Sequence, residues 1–191
     1  MNNTELDNLK LELSIKAKNG LDFIIAATIV WFAIAYIWTL SFSAYDKSVL
    51  TFIIGSLLLP LALLISKILK TEWTIKENPL QPLGLWLNFA QLFYFPFLVF
   101  ILIKQPDYFV MTYVIITGAH FFPYAWYYNE KGFAVMAGII SIGALLIALN
   151  VSPEKMFLIA IYIGVVLMIL AIWLSLSYQS KMKIIKAKAN Q

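Results

Sequence analysis

Tyr113, Thr117, His120, Tyr124 and Tyr128 recur at steps of three or four residues, a spacing that places them on one face of a helix. His120 is the only histidine in the chain, and an imidazole can exchange a proton near neutral pH. The flanking hydroxyls can donate or accept hydrogen bonds. Pro123 has no N–H for the Ala119 carbonyl, and its ring crowds that carbonyl, so an acceptor is left free one residue before the histidine. If the helix ends near Tyr128, His120 lies about 12 Å inside it. Gln91, on the preceding apolar run, falls at a similar depth, with Asn88 and Tyr94 one turn to either side. Pro60, which frees the Ser56 carbonyl, and Ser141 approach the same layer. Such groups are costly against lipid and cheap against one another. The pattern therefore predicts an inward ligand-binding cluster of His120, Tyr124, Tyr128, Thr117, Gln91 and Asn88. The competing account is helix packing, since intramembrane amides and hydroxyls also hold helices together at about 0.6–2 kcal/mol per bond.

Other chemistries lack their residues. The chain has no cysteine, which excludes thiolate nucleophiles, disulfides and thiolate-bound metals. No carboxylate pair at catalytic spacing accompanies His120, and no Ser/His/Asp set falls in one region. One histidine with peripheral acids is a poor metal ligand set, so no metal and no cofactor are expected. The net charge is +4, but all 14 basic residues are lysines and most sit between apolar runs or in the tails. With no arginine fork and no basic face, nucleic acid is not an expected partner.

The elements that must position these residues are long and apolar. Of 191 residues, 62% are hydrophobic and 13% charged, too little polar surface for a soluble domain of this length. Runs near twenty residues occur at 21–43, 49–68, 83–103, 108–127, 133–149 and 156–178, which predicts an all-α, six-span membrane protein forming a single domain over 1–191. The fifth run is the shortest. Eleven lysines fall on the side shared by both ends and three (Lys47, Lys104, Lys155) on the other. By the positive-inside rule both termini are expected in the cytoplasm. Trp86, Trp126, Tyr127, Tyr128, Trp173 and Tyr178 then gather at the cytoplasmic interface, with Trp126 and Tyr127 as interface anchors. Asp22 and Glu130 lie near cytoplasmic helix ends, either facing the mouth of the site or solvated.

The first twenty residues carry acids among their lysines and no cleavage site, unlike a signal peptide. Leu6, Leu9, Leu13 and Ala17 predict a short amphipathic helix lying along the membrane, with Thr4 and Asp7 as a capping box and Gly20 as its stop. The segment 71–82 reads as an ordered loop in which Asn78 is pushed from helical geometry by Pro79 and Pro82 opens the next helix. Lysines 181–188 form a basic tail, read as an orientation signal or an anionic-lipid contact. Gly132, Gly138 and Gly143, with Ala137 and Ala144, suggest close helix packing in the fifth span.

The Asn78-Pro79-Leu80 triplet, the Pro96 region, and Gly118-Ala119-His120 followed by Pro123-Tyr124 and Tyr128 resemble a family of small bacterial multi-spanning membrane proteins of unknown function. The resemblance covers nearly the whole chain, most strongly residues 78–131. It implies a shared membrane fold, draws attention to Asn78, His120 and Pro123, adds Asn78 to the candidate ligand-binding residues, and supplies no activity. Three functions stay open from sequence: a small-solute permease or channel with a cytoplasm-facing pocket, a non-catalytic sensor or accessory subunit, and an intramembrane enzyme acting on a lipid or amphiphile. Membrane lipids, a small solute, a second copy of the chain or a membrane partner would be its contacts.

Overall fold

In the computed structural model the backbone is described for residues 3–189 and the side chains for residues 4–187, which leaves the Lys188 side chain of the basic tail outside the described residues. Helices account for nearly all of it: α1 Asn3–Lys16, α2 Leu21–Thr39, α3 Ala44–Gly55, α4 Leu58–Leu69, α5 Gln81–Leu92, α6 Phe95–Lys104, α7 Phe109–Tyr127, α8 Lys131–Asn150 and α9 Phe157–Ala189. Five helical stretches are long and apolar enough to cross a membrane: Lys18–Thr39, Ala44–Leu69, Gln81–Lys104, Lys131–Asn150 and Pro153–Ala187. The protein is thus a multi-pass, all-helical membrane protein. The fifth apolar run, short by sequence, is a full 20-residue helix. α7 has 19 residues, and its histidine, proline and tyrosines make it less apolar than those five.

Two of the spanning stretches are broken in the middle. The first breaks between α3 and α4 at Ser56–Leu57 and the second between α5 and α6 at Phe93–Tyr94. Pro60 and Pro96 stand in the first turns of the new helices, where a missing N–H costs little. The price is left on the other side of the break: neither proline can serve the carbonyl four residues back, Ser56 or Leu92. Pro123 lies inside α7 without ending it.

The helices form a ring that is packed through its middle, where α7 also touches α9 and Trp31 of α2 meets Tyr113 of α7. α2 packs on α9, α9 on α8, α8 on α7, α7 on α5 and α6, α6 on α3, and the α3–α4 pair back on α2. Small residues set the closest approaches. On α7, Gly118 lies against α8 so tightly that a Cβ there would be 2.6 Å from Ser141 Oγ and 2.8 Å from Ile140 Cγ2. Ala137, Ile140 and Ala144 line the buried face of α8. Gly132 meets Leu170 and Trp173, and Gly143 accepts the Tyr162 ring, whose hydroxyl donates to the Ile139 carbonyl at 2.6 Å. Gly138 faces open space, so the packing expectation fails there: its position on α8 points away from every neighbour.

Burial is uneven around this ring. Two-thirds of the apolar window of α2 is buried (67%), against 17% for α3–α4 and 11% for α5–α6. α2 is therefore the centre of the packed half. The broken helices form the open half, with Trp86, Phe93, Tyr94 and Phe100 all exposed.

α1 folds over one end of the ring. Thr4 lies within this helix and not ahead of it, so the capping box does not form as expected. The stop is a run of three left-handed residues, Lys18 (φ 47°), Asn19 (φ 57°) and Gly20 (φ 72°). At Gly20 a side chain would also meet the Tyr128 ring, 3.3 Å away. Leu13, Ser14 and Lys10 are buried, so α1 puts polar as well as apolar residues against the bundle.

Candidate functional site

α5 meets α7 along a seam, and its hub is a backbone atom. The Gly84 carbonyl accepts from Asn88 Nδ2 at 3.0 Å, within its own helix, and from the Tyr124 hydroxyl at 3.3 Å, across the seam. Glycine is needed here, because a Cβ would stand 2.8 Å from the Tyr127 hydroxyl. His120 packs edge-on against Tyr124, with ring centroids 5.2 Å apart. Tyr124 in turn stacks on Tyr128, and both meet Phe133 of α8. His120, Tyr124, Tyr128 and Asn88 are thus brought into one connected group through Gly84. Gly84 was legible only as a glycine one turn before an intramembrane asparagine.

The remaining expected residues are placed differently. Thr117 is buried and donates to the Tyr113 carbonyl of its own helix at 2.9 Å. Gln91 is half-buried on α5, one turn beyond Asn88. Asn78 lies in the 71–82 loop and serves α1: its amide donates to the Leu9 carbonyl at 2.9 Å and to Glu12 at 2.8 Å, while its Oδ1 accepts from Leu80 N–H at 3.0 Å. Tyr127 is no interface anchor. It is 4% exposed, with its hydroxyl directed to the Gln81 carbonyl at 3.3 Å. Trp126 does sit at the surface, with the Lys10 ammonium 3.7 Å from its ring centre.

Deeper on α7, Tyr113 marks where both broken spans converge. Its ring lies 6.0 Å from Phe95 at the start of α6, 6.4 Å from Phe52 near the end of α3, and 5.3 Å from Trp31 of α2. A methyl group at Gly55, the last residue of α3, would be 3.3 Å from the Tyr113 hydroxyl. Phe52 and Phe95 themselves touch at 5.9 Å. The two interrupted helices therefore meet at mid-span, two turns along α7 from His120.

The lysine-rich end holds a buried polar network that the sequence did not reveal. Glu130 is 5% exposed; it caps α8 through Gly132 N–H, accepts from Ser177 and pairs with Lys181 at 3.4 Å. Lys181 also donates to Ser14 at 2.7 Å, to Asn19 at 3.0 Å and to the Tyr128 carbonyl at 3.3 Å. Asn19 completes the set by bonding Ser14 and the Leu174 carbonyl. The solvated reading of Asp22 and Glu130 is overturned, because neither carboxylate reaches water. Asp22 is 1% exposed and accepts from Thr71 Oγ1 at 2.6 Å and Trp73 Nε1 at 2.7 Å, fastening the 71–82 loop. Buried charges persist where paired or fully hydrogen-bonded, which both are. Sequence showed only isolated acids near helix ends, with partners 47 to 51 residues away. Outside the membrane-spanning stretches, Lys16 and then Asn78 hold the Glu12 carboxyl below its ordinary range, while Glu12 raises Lys16 in return.

No curated protein and no solved structure matches this chain. A family profile does match, and it spans residues 6–177, taking in the α5–α7 seam, the mid-span breaks and Glu130 with Ser14, Asn19 and Ser177, but ending short of Lys181. The chain belongs to a family of unknown function, DUF7010.

Proposed function

We propose that this is a permease or channel for a small, uncharged polar solute, set in a bacterial cytoplasmic membrane as six spans with both termini in the cytoplasm. The observation that carries the reading is the convergence of two mid-span helix breaks on Tyr113. Broken membrane helices expose backbone carbonyls where a solute can replace its water, and this is tolerated where backbone lines a cavity or protein interior. The Ser56 and Leu92 carbonyls, both denied a donor by proline, and the Tyr113 hydroxyl supply the deep end of such a route. His120, Tyr124, Gly84, Asn88 and Gln91 continue it along the α5–α7 seam. These groups offer hydroxyl, amide, carbonyl and imidazole but no carboxylate or ammonium, which suits a neutral solute and argues against tight ion coupling.

The experiment is flux into liposomes holding the purified protein, across a panel of small polyols, amides and zwitterions. A conducted solute is expected, with at least a tenfold loss of its flux in His120→Ala and in Tyr113→Phe. Wild-type flux in both variants removes these residues from the route, and no flux for any solute in the panel removes the reading. One observation favours a second function, an accessory subunit: the exposed faces of α3 to α6 leave room for a membrane partner, and co-purification of a stoichiometric partner burying α5–α6 would select it.

A further inference from the structure

α1 and the turn that follows it contact three different walls of the bundle. Asn78, three residues ahead of α5, holds the Leu9 carbonyl and Glu12. Trp126, in the last turn of α7, carries Lys10 over its ring. Lys181 of α9 holds Ser14 and Asn19. The segment packs chiefly on α9 and reaches the lysine-rich end of the α5–α7 seam through Asn78, Trp126 and the Gly20–Tyr128 contact.

Its attachment has the marks of something made to let go. Among these contacts only Leu13 contributes a fully buried apolar side chain; the rest are hydrogen bonds and one cation–ring contact. The connecting turn is strained, because Lys18 and Asn19 adopt left-handed φ values of 47° and 57°, unfavourable for residues bearing a Cβ. Of the bonds on this turn only Ser14 to Asn19 reaches α1; Asn19 to the Leu174 carbonyl and Lys181, and Lys18 to the Leu69 carbonyl at 2.6 Å, pin the turn to α9 and α4 and make it a fixed hinge. Lys181 is the shared clasp. It divides its donors between Glu130 on one side and Ser14, Asn19 and the Tyr128 carbonyl on the other. Glu130 keeps Ser177 and Gly132 N–H as partners whether or not α1 is docked.

We infer that α1 and the Lys18–Gly20 turn form a lid, latched by Lys181, that closes the lysine-rich end of the α5–α7 seam. This rests on the conduction reading for its purpose but not for its geometry. Release of Lys181 from Ser14 lets α1 swing about the turn, which stays anchored through Asn19 to Leu174 and Lys18 to Leu69, and the seam opens past Tyr128.

The absence of native cysteine permits a background-free test. Single cysteines are placed at Leu13, which is 1% exposed in the docked lid, at Thr117, buried one turn from His120 on α7, and at Ile140 in the α7–α8 core. Each is reacted with a charged maleimide applied from the lysine-rich side, in the parent and with Lys181→Met or, as a control on the exposed part of the same helix, Lys183→Met. Lys181→Met is expected to speed labelling at Leu13→Cys and Thr117→Cys at least tenfold, to leave Ile140→Cys protected, and to be reversed in part by Lys181→Arg. Lys183→Met is expected to change none of them. Unchanged Leu13→Cys labelling overturns the latch. Faster Leu13→Cys without faster Thr117→Cys shows that α1 leaves but covers no route, and overturns the lid. A rise at Ile140→Cys as well marks general loosening, which also overturns it. Solute flux is read separately: its absence in parent and variants alike defeats the conduction reading and leaves the thiol results to judge the lid.

Discussion

At Gly118 the requirement is for absence of a side chain. α7 and α8 approach so closely there that a Cβ would lie 2.6 Å from Ser141 Oγ and 2.8 Å from Ile140 Cγ2, and Ile140 is fully buried and cannot retreat. Overpacking of this kind costs about 1–3 kcal/mol. Gly118→Ala is expected to destabilise the detergent-solubilised protein by that amount in a denaturant titration. Gly138→Ala is the matched control, since nothing lies within 4 Å of the added methyl group; it should be neutral or stabilising by about 0.5–1 kcal/mol, the usual gain on replacing a helical glycine. Sequence presents both as glycines in apolar helices. What separates them is the direction each faces, and helical periodicity fixes that only once a neighbour is known. The histidine was easier to find because chemical type alone, an imidazole within an apolar run, marks it as exceptional. The hub that joins Tyr124 to Asn88 was harder: Gly84 acts through its carbonyl, an atom every residue carries.

Among the elements, the 71–82 loop owes its order to a buried carboxylate. Asp22 receives both the Thr71 hydroxyl and the Trp73 indole N–H, and Phe23 stacks on the Trp73 ring at 4.8 Å. Asp22→Ala leaves those donors without an acceptor, at about 1–3 kcal/mol for a buried group and toward the low end here because Trp73 is 37% exposed. Faster proteolysis within residues 71–82, with the helices intact, is the expected result; an unchanged cleavage rate would show that the stacking suffices. The junction of this loop with α1 carries a pH dependence. Glu12 is held below its ordinary value of 4.5 by Lys16 first and Asn78 second. A depressed carboxyl stabilises the docked form fully above that ordinary value and gives up its contribution as pH falls through the lower, folded value. A nitroxide attached at Leu11→Cys, on the exposed side of α1, is therefore expected to show the same restricted motion at pH 7 and pH 5.5 and greater mobility only once pH has fallen below the ordinary value of 4.5. Glu12→Gln should remove most of that step. Ordering of the loop was anticipated from Pro79 and Pro82, whereas its anchors lie about fifty residues away in sequence and have no local signature.

For the whole molecule, hydropathy predicts where helices lie far better than where they break. The run at 133–149 became Lys131–Asn150 and the run at 21–43 became Leu21–Thr39, because any backbone in hydrocarbon must bond within its own segment. Pro60 and Pro96 mark breaks while Pro123 sits inside an unbroken helix. The fold-back of α1 was equally hidden, since its contacts are single polar residues scattered over three elements. The arrangement of the ends makes a final prediction. α1 reaches Lys181 of α9 and Asn78 of the 71–82 loop, so the start of the chain, that loop and the lysine-bearing turns of α9 share one side of the bundle. With the lysine excess of eleven to three on that side, tags at the two termini should be digested together by protease added to inside-out vesicles and protected together in intact spheroplasts. A cysteine near Lys104 or Lys155 should show the opposite pattern. Opposite accessibility of the two termini would mean an odd number of crossings, and α7, the least apolar of the long helices, would be the first one to remove from the bilayer.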